Sequence, residues 1–226
     1  MPGGGAGPGT VFTEKDAMHI SEGVLSPVVI GGGVALTAIG TGIGLRKTDY
    51  SRLTTAAVLA SVFFVGSLVH VPLGPGSVHL LLNGLLGLFL GWAVFPALLV
   101  ALLLQAILFS YGGIAVLGVN VFDMAFPALA CHYAFRRLLD GTNASFRLIG
   151  AFSCGALSVA GAALCTALAL GFTDEGFWNA ARILFAAHIP IMILEGCVTG
   201  VIVAFVAKNR PELLRFDGEP LVGICS

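Results

Sequence analysis

The dipeptide Met18-His19 carries the densest ligand chemistry in the chain. If Met18 is a chain start, its free amine, the His19 amide nitrogen and the imidazole Nδ1 close fused five- and six-membered chelate rings around one ion. Three coplanar nitrogens then leave one equatorial position open. Such a tetragonal all-nitrogen set suits Ni(II) or Cu(II), accommodates Co(II), and does not suit Mg(II) or Ca(II). The amide must lose its proton, so affinity rises with pH. A Met-His pair recurs by chance in many proteins. Another residue has to supply the fourth position, and the chain has 5 histidines.

Two of the five flank one loop. His79 ends the run Gly76-Ser77-Val78-His79, in which Ser77 reads as the N-cap of a helix. At the positive end of that helix the imidazole stays neutral and keeps a lone pair to donate. Asn83, one turn on, is then placed to orient the ring. The competing reading is an interfacial histidine hydrogen-bonded to its own loop. His70, just before Val71-Pro72, is a second candidate ligand or a group that fixes the loop.

The elements that must position these residues are membrane helices. Of 226 residues, 57% are hydrophobic and only 10% charged, with a mean hydropathy of +0.98. Soluble domains carry about 25% charged residues. This composition belongs to an integral membrane protein, and a net charge of −1 with no basic patch argues against nucleic acid as a partner. Residues 1–17, rich in Gly and Pro, lack the basic and apolar regions of a signal peptide and read as a disordered or non-native extension. Residues 18–214 form the membrane domain, and 215–226 a cytoplasmic tail.

At about 20 apolar residues per crossing, the pattern predicts an all-α, polytopic bundle of about seven spans. These are Leu25–Leu45, Leu53–Val71, 78–93, 95–111, Ile114–Leu139, Phe146–Gly171 and Ala180–Ala207. Gly91-Trp92 and Pro96 mark the break between the third and fourth, and six crossings result if 79–111 holds a re-entrant pair. Nine Lys and Arg residues, at 46, 47, 52, 136, 137, 147, 208, 210 and 215, fall on one side of that scheme. Only Lys15 and Arg182 fall on the other. The nine mark the cytoplasm, which puts Met18, His70 and His79 together outside and the C-terminus inside.

Polar groups within the spans need a reason to be there. His188, Met192 and Glu195 stand at i, i+4 and i+7 on one helical stripe. An ionisable group in a span is a functional hypothesis by default, against a role in interhelical contact. Asn120 and Asp123 raise the same question, Gln105 does so more weakly, and His132 beside Arg136 reads as interfacial. The 5 cysteines are scattered with no CxxC and read as small buried hydrophobes.

The stretches MHISEGVLSP, HVPLGPGSVHLLLNGLLG, LGVNVFDMAFPA and HIPIMILEG together resemble the CbiM/NikM family. These are substrate-binding membrane subunits of cobalt/nickel energy-coupling-factor importers, and the similarity runs from Met18 to about Leu214. The resemblance implies a seven-helix fold with an outward N-terminus, in a prokaryotic inner membrane. It also implies a metal held by the Met18 amine, the His19 amide and ring, and a further histidine matching His79. Co(II) or Ni(II) is then the transported substrate rather than a resident cofactor. The implied partners are a transmembrane coupling subunit, ATP-binding cassette ATPases and a small accessory membrane subunit. The chain itself would catalyse nothing, ATP being hydrolysed by separate chains.

Family members begin at the methionine of MHI, whereas seventeen residues precede it here. The expectation is that the working protein starts at Met18. The Pro-Leu-Gly-Pro form of the loop leaves the fourth ligand open between His79 and His70, with the better spacing at His79. The competing function is a stand-alone, proton-coupled secondary transporter using Glu195 and Asp123 as its relay. An intramembrane metallohydrolase would need a His-Glu-x-x-His cluster, which the sequence lacks.

Overall fold

A computed structural model describes residues 23–49, 53–68, 70–73, 76–141, 143–173, 182, 185–186 and 188–214. It is all-helical apart from one short hairpin. The helices are α1 (Pro27–Lys47), α2 (Leu53–Gly66), α3 (Asn83–Leu90), α4 (Val94–Phe109), α5 (Leu117–Asp140), α6 (Ala144–Gly171) and α7 (Ile189–Asn209). The hairpin, β1 (His70–Leu73) with β2 (Gly76–His79), lies between α2 and α3.

Among the described residues, four stretches are long and apolar enough, by length and composition, to cross a membrane: α1, the run Asn83–Phe109 (which folds back at Gly91), α6 and α7. Large apolar side chains such as Val28 and Ile39 on α1, Val58 on α2, and Val201 and Phe205 on α7 point outward. Lipid is the solvent that tolerates such a surface. The second expected span is shorter than the pattern implied, because α2 stops at Gly66. Its 14 residues reach about 21 Å, short of a hydrocarbon core of about 30 Å. Helix α5 has 24 residues but carries Asp123, Arg136, Arg137 and Asp140 and contains Pro127.

Between α3 and α4 the chain reverses. Gly91 adopts φ 53° and ψ −124°, a conformation open to glycine and strained for other residues. Leu82, before α3, lies against Gly66, and Gln105, near the end of α4, bonds to the adjacent Ser67. The start of α3 and the end of α4 are therefore level, and the two helices run in opposite directions. The break read from Gly91-Trp92 is present, although the helix before it begins at Asn83 rather than near 78.

That reversal lies at the basic end of the bundle. The Lys47 ammonium sits 5.0 Å from the Trp92 ring centre. Gly91 lies beside His132, one helical turn before Arg136, and Arg147 donates to the carbonyls of Leu139 (3.2 Å) and Gly141 (2.7 Å). At the opposite end the Ser26 amide donates to the Thr173 hydroxyl (3.2 Å), tying the start of α1 to the end of α6.

Helix α3 occupies the centre. Asn83 through Leu88 are all buried, packed against α5 and α6. Two glycines make this possible. A Cβ on Gly84 would lie 2.9 Å from the Cys154 carbonyl oxygen of α6, and one on Gly87 would collide with the Ala128 carbonyl of α5. The main core gathers around this wedge, with Leu86, Leu98, Val121, Ala125, Ala128 and Ile191 among its members.

A histidine hairpin and its buried supports

Met18 and His19 lie outside the described residues. His70 and His79 are described through their backbones, which the antiparallel hairpin sets directly opposite one another. The register is His70↔His79, Val71↔Val78, Pro72↔Ser77 and Leu73↔Gly76. Both candidate fourth ligands therefore belong to one pair of strand positions.

Three expectations are corrected by the hairpin. Ser77 is not a helix N-cap; it sits in β2 opposite Pro72. His79 ends a strand, four positions before α3 begins, so it does not stand at a helix N-terminus. Asn83 is therefore not one turn along a helix shared with His79. Two four-residue runs, HVPL and GSVH, flank Gly74-Pro75, and such a Gly-Pro joint between short runs favours a hairpin over a helix start.

The segment joining β2 to α3 is held from the far side of the bundle. Glu195, in the middle of α7, is fully buried. Its carboxylate accepts the backbone N–H groups of Leu81 and Leu82, the second at 2.9 Å and 3.1 Å to its two oxygens. A buried carboxylate is costly unless hydrogen-bonded, and amides at the entry to a helix are well suited to meet it. Leu82 adopts φ 48°, a left-handed conformation that costs a leucine about 1–3 kcal/mol and persists only where its surroundings impose it.

Asn83 completes this joint. Its amide donates to the carbonyls of Met124 on α5 (3.2 Å) and Ser158 on α6 (3.4 Å), while its oxygen accepts the Gly84 N–H at 2.9 Å. At the other end of α3, His132 Nδ1 lies 2.8 Å from the Leu88 carbonyl and donates to it as that tautomer. His132 is buried within the bundle at its basic end. It locks α3 onto α5.

The remaining polar candidates are buried within the bundle. Asp123 is buried and accepts the Thr166 hydroxyl at 3.1 Å. Asn120 is buried one turn earlier on α5. His188 is buried at the cap of α7, where its carbonyl accepts the Met192 N–H at 2.9 Å. Gln105 donates to Ser67 Oγ at 2.8 Å. Among the described residues, no three His, Cys, Asp or Glu side chains gather as a metal cluster. Cys131, Cys154, Cys165 and Cys197 are free thiols, the first two buried.

The His188/Met192/Glu195 stripe was legible as helix spacing, but the partner of Glu195 was not. A carboxylate that serves two backbone amides leaves no mark on the sequence around them.

A helical bundle with an apolar outer surface, and with a histidine hairpin braced from its core, defines a membrane component of a metal transport system once its relatives are considered. A "Putative metal transport protein" of Haemophilus influenzae is 44% identical over 200 residues, covering 88% of this chain and 97% of that one. A "Fused nickel transport protein NikMN" of Rhodobacter capsulatus is 33% identical, covering 87% of this chain and 64% of that longer one. A solved structure described as a transition metal transporter superposes with a TM-score of 0.70 at 31% identity, covering 84% of this chain and 93% of that one. Residues 19–213 match the family described as "Cobalt uptake substrate-specific transmembrane region". The chain belongs to that family, CbiM, whose members are membrane components of cobalt and nickel transport.

Proposed function

We propose that this chain is the substrate-binding membrane subunit of an energy-coupling-factor importer, taking up Co(II) or Ni(II) from the outer face of a prokaryotic inner membrane. The Met18 amine and the His19 amide and ring nitrogens supply three ligands, and His79 the fourth. The working protein begins at Met18. A transmembrane coupling subunit and ATP-binding cassette ATPases, with a small accessory membrane subunit, drive release to the inside.

The observation that carries this reading is the strand pairing of His70 with His79, on the segment that follows α2 away from the basic end of the bundle. Seven described cations, Arg46, Lys47, Arg136, Arg137, Arg147, Lys208 and Arg210, lie at helix ends of the opposite pole. By the positive-inside rule that pole is cytoplasmic. Because α3 and α4 run in opposite directions, the chain alternates in direction through seven helical segments, which puts the N-terminus out and the C-terminus in.

The test is metal uptake into vesicles. Uptake that needs the coupling subunit and ATP supports the reading. Uptake by this chain alone, driven by a proton gradient without ATP, favours the secondary-transporter alternative. A cysteine placed at Ser77 should react with an impermeant label only from outside, and reaction only from the cytoplasm would overturn the site assignment.

A further inference from the structure

We propose that Glu195 is a positioning residue for the metal site: its carboxylate fixes the two backbone amides that follow His79 and so sets where that histidine stands. The inference rests on the reading of His79 as a ligand, and it extends the site to α7.

Only Leu80 separates His79 from Leu81, and the N–H groups of Leu81 and Leu82 both end on Glu195. The next residue, Asn83, grips α5 and α6 through Met124 and Ser158. Three consecutive residues at the foot of β2 are thus fastened to three different helices. The left-handed Leu82 is the link that turns the strand into α3, and Glu195 is the group bonded to it. The backbone at Glu195 packs closely on α6: a Cβ at Gly155 would stand 2.7 Å from the Glu195 carbonyl oxygen. A tetragonal nitrogen set tolerates little displacement of its fourth ligand, so a rigid foot under β2 is what such a ligand requires.

What this role needs from Glu195 is an acceptor oxygen rather than a charge. One oxygen, Oε1, receives both amides, and the Leu82 N–H also reaches Oε2 at 3.1 Å. A glutamine has a side-chain oxygen that can occupy the same place, whereas a proton relay through this position would fail with glutamine as surely as with alanine. The two roles therefore predict different rankings of the same variants.

The experiment is a Ni(II) titration of the purified chain with its N-terminus verified by mass, followed by the visible absorption of the nickel–nitrogen chromophore. Wild type, E195Q, E195A and His79→Ala are compared. The expected result is that E195Q binds close to wild type with the same band, while E195A binds roughly 10–100-fold more weakly, with a shifted band. Hydrogen exchange of the Leu81 and Leu82 amides keeps the test decisive if E195A does not fold. Slow exchange at both amides in wild type and in E195Q supports the proposal. Free exchange at these amides in the folded wild type overturns it, as does E195A binding like wild type or E195Q failing like E195A. His79→Ala binding with an unchanged band would instead overturn the ligand reading beneath it.

Discussion

Glu195 and Asp123 are both buried carboxylates on long helices, yet their neighbourhoods differ in kind. Asp123 is answered by one hydroxyl, Thr166 of α6, within the seam of two packed helices. Glu195 is answered by backbone amides of a segment that leads in two steps to His79. The first contact holds scaffold to scaffold. The second holds scaffold to the segment that carries the proposed ligand. Residue type and burial alone rank the two carboxylates together; only the identity of the donor separates them.

The largest effect expected on the hairpin side is from His79→Ala, which should abolish Ni(II) and Co(II) binding while the protein stays inserted and folded. His70→Ala should cost less, through loss of order in the loop alone. Metal titration of the two variants checks both, and loss confined to His70→Ala would move the ligand to the facing strand. Gly87→Val comes next, because its side chain would collide with the Ala128 carbonyl of α5. Overpacking of this kind costs about 1–3 kcal/mol. It should appear as a lowered thermal unfolding temperature together with weaker metal binding, since α3 carries the foot of the hairpin. A variant that unfolds earlier but binds metal normally would uncouple the wedge from the site.

The smallest effect is expected at Asp123. Asp123→Asn keeps an oxygen for the Thr166 hydroxyl, so metal binding and ATP-dependent uptake should stay near wild type. Abolished uptake with intact binding would turn the α5–α6 seam into a working part and revive the proton-coupled alternative. Transport assays with and without a proton gradient distinguish these outcomes.

How much of this was legible in the sequence follows from what each level of structure depends on. The membrane class, the break at Gly91 and the common pole of the Lys and Arg residues came from composition and spacing, which are local. The helix assigned to 78–82 was wrong because HVPL and GSVH pair with each other, and periodicity read along one strand cannot register a partner. The sequence marks Asn83 for a contact with His79, whereas its amide bonds to Met124 and Ser158 across the bundle. His132 looked interfacial beside Arg136, and its burial depends on α3 returning to the basic end, where the Leu88 carbonyl meets it. The partner of Glu195 lies 113 residues away at Leu82, and no motif encodes a bond to a backbone N–H.

The central claim, that a chain terminus and His79 together hold the metal, is tested most directly at Met18. A chain that continues upstream replaces the Met18 amine with an amide nitrogen, a poor ligand unless it too loses its proton. Two forms of the protein, one beginning at Met18 and one retaining residues 1–17, are to be confirmed by intact mass and titrated with Ni(II). The account predicts tight binding of one ion, with a nickel–nitrogen absorption band, in the form that begins at Met18, and its loss in the extended form. Equally tight binding with the same band in the extended form would contradict it, leaving a side-chain site built from His19, His79 and His70.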